Sequence, residues 1–236
     1  MQDVFVRQLK NATDEEIERI VAVNVAAFAD DEFNRILVGG DISILPLLMR
    51  AQIKAGLLWR RGTQRTIFED FFTILTLHPR STSPASATKT FPPQRPEQGE
   101  AGFNDFMGAI GEDTRNWWAA KFLPFYGATT TEAFGEGFKK ANWHLQLLAT
   151  EPRSQSKGLA SALVKRVDQL AREVGKALTV ETETEGALAF YKANGFKLKA
   201  EKPVPTDDVE DVERPIPMYV LWKNHGARAG SPLYTS

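Results

Sequence analysis

The sequence predicts an α/β fold, and three observations carry that expectation. Short apolar runs rich in β-branched and aromatic residues recur at residues 4–9, 66–77, 142–150 and 177–183. Between them, apolar side chains return every three or four positions, the spacing of one helical face. Leu159, Leu163, Val167, Leu170 and Val174 form the clearest such stripe. Finally, the chain has 236 residues, 42% hydrophobic and 25% charged, which is ordinary for a globular protein. A chain of that length buries roughly 70% of its unfolded surface, so one substantial core is expected.

Taken in order, residues 4–9 alternate weakly and read as a first strand. Thr13 and Glu16 then form a capping box, each satisfying the other's exposed N–H. They open a helix whose buried face is Ile17, Ile20, Val21, Asn24 and Phe28. A second helix is expected over residues 43–59, with Pro46 in its first turn, where a missing N–H does no harm. Residues 66–77 read as one or two strands. After Pro79 the composition shifts to Ser, Thr, Ala and Pro, with Phe91 the one large apolar anchor. Residues 80–100 are therefore expected to be a flexible insertion. Residues 103–138 are helical and aromatic. Phe106, Met107, Phe122 and Phe125 suit a cover over the sheet, while Trp117, Trp118 and Tyr126 allow either that cover or one wall of a pocket.

Charge and residue counts exclude several classes of function. Lys plus Arg total 29 and Asp plus Glu 30, leaving a net charge of -1 and no whole-molecule field for nucleic acid or anionic lipid. There is no cysteine, which rules out disulfides, thiolate metal sites and a cysteine acyl-enzyme. The histidines are His78, His144 and His225, so a three-histidine zinc site would need all of them. No metal is expected. The start of the chain lacks a basic stretch and an apolar core of the secretory kind. The most apolar run, residues 42–59, is broken by Arg50, Gln52 and Lys54, short of a ~20-residue span. The expectation is a soluble protein of the cytoplasm, with the nucleus also open.

The chemistry concentrates in the C-terminal half. A strand over residues 142–150 leads through a short polar turn into Gln155-Ser156-Lys157-Gly158-Leu159-Ala160 and the amphipathic helix. Such a helix start aims unpaired N–H groups outward with the positive end of the dipole behind them. Small residues let an anion approach that backbone. The pattern is neither a dinucleotide fingerprint nor a Walker loop. A strand over residues 177–183 follows, then a short helix over residues 186–192. Gly195 stands just past its end, where a left-handed conformation is needed.

These residues resemble the GNAT superfamily of acyl-CoA-dependent N-acetyltransferases. The resemblance rests on the strand Leu145-x-Leu147-Leu148-Ala149-Thr150, the signature Gln155-x-x-Gly158-x-Ala160 and the later Ala187-x-x-Phe190-Tyr191-x-x-x-Gly195-Phe196. It covers residues 143–196 firmly. Residues 47–53, Trp117-Trp118 and the closing strand at 217–221 look similar to fungal-type members. The tract after residue 77 departs from the family's usual strand pair.

The resemblance implies a mixed, largely antiparallel sheet flanked by helices and splayed at the acyl-CoA-binding strand. It implies one N-acetyltransferase-like domain over residues 1–236, with the coenzyme core at about 141–223. It also implies acetyl-CoA as cosubstrate, with the backbone of Leu148, Ala149 and Thr150 pairing with the pantetheine arm. Gln155, Ser156, Lys157, Gly158, Leu159, Ala160 and Ser161 would then hold the pyrophosphate, and Tyr191 would protonate the departing thiolate.

The acceptor amine must lose a proton, because an alkylamine has a pKa near ~10.4. Strand parity places His144 and Gln146 on one face and Trp143, Leu145 and Leu147 on the other. The resemblance reaches arylalkylamine N-acetyltransferases at His144 of a His-x-His pair, with Gln146 departing from it. His144 is therefore the candidate base or relay, and Glu181, Glu183 and Glu185 stand behind it. The expected partners are acetyl-CoA and an amine, with no nucleic acid and no membrane. The competing reading is a non-catalytic acyl-CoA-binding module.

Overall fold

The computed structural model describes residues 7–9, 12–57, 67–70, 73–79, 99–207, 209, 212 and 214–226. Strand β1 (Arg7–Leu9) is followed by helices α1 (Asp14–Ala27), α2 (Glu32–Leu37) and α3 (Leu45–Leu57), then strands β2 (Ile67–Asp70) and β3 (Thr73–Pro79). Helices α4 (Asn104–Ala109), α5 (Glu112–Trp117), α6 (Leu123–Phe134) and α7 (Phe138–Ala141) come next. The C-terminal half runs β4 (Trp143–Thr150), α8 (Leu159–Glu173), β5 (Leu178–Thr182), α9 (Glu185–Ala193), β6 (Lys197–Pro203) and β7 (Pro217–Lys223). The strands make one sheet in the order β1-β2-β3-β4-β5-β7-β6. Every neighbouring pair is antiparallel except β4 with β5. The mixed α/β architecture expected from the sequence is the one observed.

Local chemistry explains most element boundaries. Thr13 Oγ1 accepts the Glu16 N–H at 3.2 Å and Glu16 Oε2 accepts the Thr13 N–H at 2.9 Å, completing the capping box of α1. Thr13→Ala should cost about 1 kcal/mol, a fall in Tm of roughly 2–4 °C by calorimetry for a chain of this size. Helix α2 was not legible in the sequence, because six residues are too few to show a period. Asp31 starts it by accepting the Asn34 N–H at 2.8 Å. The second expected helix enters through a tight turn at Ile42–Ile44, capped by Asp41, and α3 proper begins at Leu45. Residues 58 and 59 of that expectation lie outside the described residues, as do residues 4–6 of the first strand.

The region expected as one or two strands forms two. Of the insertion expected at residues 80–100, residues 80–98 lie outside the described residues. Gly99 and Glu100 instead belong to a wide helical turn, Gly99–Phe103, that leads into α4. The aromatic stretch after it is not one helix. A second wide turn, Trp118–Phe122, joins α5 to α6, and Gly135 and Gly137, at φ 85° and 77°, break the chain before α7. Only glycine adopts such angles without strain.

Each face of the sheet carries its own core. On one side Ile20, Leu48, Met49, Ile53 and Phe106 of the helices meet Met218 and Val220 of β7. On the other, Leu163 and Val167 of α8 and Leu188 of α9 meet Leu145, Leu178, Val180 and Leu221. Trp117 and Trp118 lie in the first core, 7% and 5% exposed. Their indole N–H groups donate to Pro205 O at 2.6 Å and Leu37 O at 2.8 Å. Both therefore act as cover, not as pocket wall, and their polar handles are satisfied.

Strand parity required one correction. Leu77 pairs with Leu145 but Thr76 pairs with Leu147, so Gln146 is the extra residue of a β-bulge. The bulge reverses the alternation after it. Leu148 packs with Leu145 on the α8 side, while Leu147 packs in the opposite core, away from the face expected for it. Among the described residues no helix is long and apolar enough to cross a membrane.

Candidate functional site

The site is built where two parallel strands part. Strand β4 pairs with β3 along its whole length, from Trp143 to Thr150. With β5 it pairs only at Trp143↔Leu178 and His144↔Thr179. Beyond His144, no described strand lies against that edge of β4, and the two strands open into a fork. An open strand edge can accept an extended chain through main-chain hydrogen bonds. The backbone of Leu148, Ala149 and Thr150 supplies the edge here.

The loop at the mouth of the fork has the geometry of an anion cradle. Ser156 at φ 61° and Gly158 at φ 80° place left-handed residues on either side of Lys157. Alternating backbone of this kind turns successive N–H groups toward a common point. No side chain caps α8, so the N–H groups of its first turn remain unpaired at the positive end of a 15-residue helix. Gln155 Nε2 donates to Thr150 O at 3.3 Å, which ties the loop back onto the strand, and Lys157 Nζ donates to Arg153 O at 2.8 Å within the loop. Gly158 has nothing within 4 Å of the position a Cβ would take, so the space above it is open. These residues fit a pyrophosphate.

At the root of the fork lies a buried polar cluster. Glu181 accepts hydrogen bonds from Lys139 Nζ at 2.9 and 2.8 Å and from the Tyr126 hydroxyl at 2.6 Å. His144 Nε2 stands 3.5 Å from the same carboxylate, and His144 Nδ1 lies 3.2 Å from Thr179 Oγ1. Both imidazole nitrogens thus face protein partners, and the histidine is 4% exposed. Thr179 Oγ1 gives its hydrogen to Trp143 O at 3.3 Å, so its oxygen is left to accept from Nδ1–H of His144.

The remaining acids differ from Glu181 in environment. Glu185 is exposed and its carboxylate accepts the Tyr219 hydroxyl proton. That bond is the main cause of the Tyr219 phenol being pushed up to about 12. Glu183 sits just past the end of β5 and makes no hydrogen bond or ion pair among the described residues. Burial, with the charges of Asp31 and Glu181 nearby, pushes its carboxyl up to about 8. Tyr191 is buried on α9, with its ring edge-on to Phe190 and Phe196. Burial raises its phenol further, and the Glu183 and Glu181 charges add to that. Tyr191 belongs to the α8–α9 layer, whereas Glu181 meets Tyr126 and Lys139 of the opposite layer.

The structure therefore gathers Tyr191, His144, Glu181 and Glu183 at the fork and sets Gln155 to Ser161 at its mouth. Sequence reasoning missed Lys139 and Thr179. Lys139 stands in a Lys139-Lys140 pair that reads as solvated surface, and only its packing reveals the buried partner. Among the described residues no group of three or more His, Asp or Glu side chains is placed to hold a metal ion.

Comparison with known proteins bears on this arrangement. Residues 104–196, which include the loop and Tyr191, match the family model of the acetyltransferase (GNAT) family. No curated protein matches the chain in sequence. Several solved structures share its fold at low identity. A Drosophila melanogaster polyamine N-acetyltransferase aligns over 94% of this chain and 100% of its own, with TM-score 0.55 and 12% identity. The C-terminal condensation domain of Ebony, bound to β-alanyl-dopamine, aligns over 94% and 100%, with TM-score 0.59 and 11% identity. A Corynebacterium glutamicum protein described as histone acetyltransferase HPA2 and related acetyltransferase aligns over 97% and 98%, with TM-score 0.52 and 17% identity. Sequence over residues 104–196 and backbone over nearly the whole chain thus converge on the fold of the GNAT acetyltransferases.

Proposed function

We propose that this protein is an acyl-CoA-dependent N-acetyltransferase that moves an acetyl group from acetyl-CoA to a primary amine of a small molecule or peptide. The single observation that carries the reading is the fork between β4 and β5 with an anion cradle at its mouth. That pairing suits a long, extended thioester with a pyrophosphate at one end. The chain is read as one N-acetyltransferase-like domain with its coenzyme core at about residues 141–223. The likeness of residues 47–53 and Trp117-Trp118 to fungal-type members supports placing it among them.

In this reading the backbone of Leu148, Ala149 and Thr150 pairs with the pantetheine arm. Gln155, Ser156, Lys157, Gly158, Leu159, Ala160 and Ser161 hold the pyrophosphate. Transfer is direct, in a ternary complex: the amine nitrogen bonds to the acetyl carbon and the carbon–sulfur bond breaks. Tyr191 gives its proton to the departing sulfur. The amine proton goes to Glu183, which takes the role that the sequence suggested for His144. Glu181 is occupied by Lys139 and Tyr126, Glu185 by Tyr219, and the nitrogens of His144 by Thr179 and Glu181. Glu183 is left as the base, and its raised carboxyl suits proton transfer near neutral pH. His144 then orients the neighbouring strand residues.

Release of free thiol from acetyl-CoA in the presence of a panel of primary amines tests the reading. Amine-dependent release is expected, and binding without release would make the chain an acyl-CoA-binding module. Gly158→Leu tests the cradle separately. Its side chain would enter the open space above the loop, at a φ of 80° that residues with side chains rarely adopt. Calorimetry should show acetyl-CoA affinity at least ~10-fold weaker, the effect of about 1.4 kcal/mol. An unchanged affinity in a folded variant would remove the site assignment.

A further inference from the structure

Two glutamates at the end of β5 are treated very differently by the fold. Lys139 and Tyr126 reach Glu181 from α7 and α6, and Lys139 also donates to the Tyr126 oxygen at 2.6 Å, closing a three-membered ring of contacts. The Lys139 and Glu181 side chains are 9% and 4% exposed, so water screens them little. A buried ion pair adds little net stability, because desolvation offsets the attraction. Its contribution is placement. Glu183, two residues on, has no such partner among the described residues.

We propose that Lys139 and Tyr126 are positioning residues for the transfer reaction: they occupy the Glu181 carboxylate and leave Glu183 as the group that exchanges protons with the acceptor amine. The inference rests on the acetyl-transfer reading above and extends it to α6 and α7, which that reading left without a role. The charged and titratable groups around the pair are Tyr126 from α6, Lys139 from α7, His144 from β4, Tyr191 from α9 and Asp31 from the turn before α2. Among them Lys139 is the permanent cation. Its ammonium offsets the Glu181 charge that otherwise bears on Glu183, and so keeps the proton affinity of the Glu183 carboxylate from rising further.

The test is a pH titration of glutamate side-chain carbons by NMR on the full-length chain, native and as Lys139→Met, Tyr126→Phe and Glu181→Gln. The signal of Glu183 is assigned by its loss in Glu183→Gln. Glu181→Gln removes a negative neighbour and keeps the cation, so the Glu183 midpoint should move down from about 8. Lys139→Met should move the Glu183 midpoint up, and Tyr126→Phe should move it up by less. The acidic limb of kcat/KM should follow, with a roughly tenfold lower rate on that limb for each unit of upward shift and an unchanged KM for acetyl-CoA.

If Lys139→Met does not fold, the opposite signs expected of Tyr126→Phe and Glu181→Gln still decide. Midpoints that stay at the native value in those variants, with only the melting temperature lowered, would overturn the proposal and leave the cluster as packing. Native protein that releases no thiol with any amine would defeat the acetyl-transfer reading. The midpoints would then still accept or reject the division between the two carboxylates.

Discussion

Tyr191→Phe should slow turnover by about 10²–10⁴-fold, the usual worth of a positioned general acid, while leaving the fold and acetyl-CoA affinity nearly intact. The phenylalanine ring keeps the edge-on contacts with Phe190 and Phe196 and the place of Tyr191 in the α8–α9 core. It loses only the hydroxyl. Burial and the charges of Glu183 and Glu181 raise the phenol, so it stays protonated throughout the working range and is always loaded as a donor. Steady-state kinetics with the variant should show kcat falling and the KM for acetyl-CoA holding. Activity within a factor of about two of the native rate would make Tyr191 a packing residue and nothing more.

Glu183→Gln should produce a loss of similar size, about 10²–10⁴-fold, together with a change in pH dependence. A base must be ionised to act, so native kcat/KM should rise as pH climbs through about 8 and level off above it. Glutamine keeps the side-chain shape but cannot take a proton, and this limb should disappear. A second limb belongs to the amine, near ~10.4 for an alkylamine. It should move with the substrate and not with the variant.

His144→Gln is the control for that assignment. If Glu183 is the base, the variant keeps the limb near 8 and loses stability, because a buried polar contact to Glu181 is weakened. A limb abolished in His144→Gln but retained in Glu183→Gln would return the proton-accepting role to His144. Stability should register the same carboxyl. Its folded pKa lies above the ordinary value of ~4.3, so the folded chain binds more protons between the two values. Stability should therefore fall as pH rises through that window, and Glu183→Gln should flatten the decline in thermal melts.

Much of this molecule could be read before any coordinates, for physical reasons that are local. The capping box at Thr13 and Glu16, the stripe from Leu159 along α8 and the left-handed Gly195 each depend on residues a turn apart, and all stand where the sequence put them. The cradle at Ser156 and Gly158 is similarly contained within six residues. The tertiary structure alone decided the rest. The bulge at Gln146 arises from the register between β3 and β4, and it moved Leu147 to the opposite core. The fork depends on where β5 leaves β4, which no spacing within either strand encodes. Lys139 and Glu181 are 42 residues apart in the chain, and their meeting depends on where α7 sets Lys139 against the end of β5. The difference in chemistry between Glu181 and Glu183 follows from that meeting. Two carboxylates two residues apart look alike in sequence. Their partners separate them, because electrostatic interactions in a water-poor interior depend on distances that only the packed chain sets.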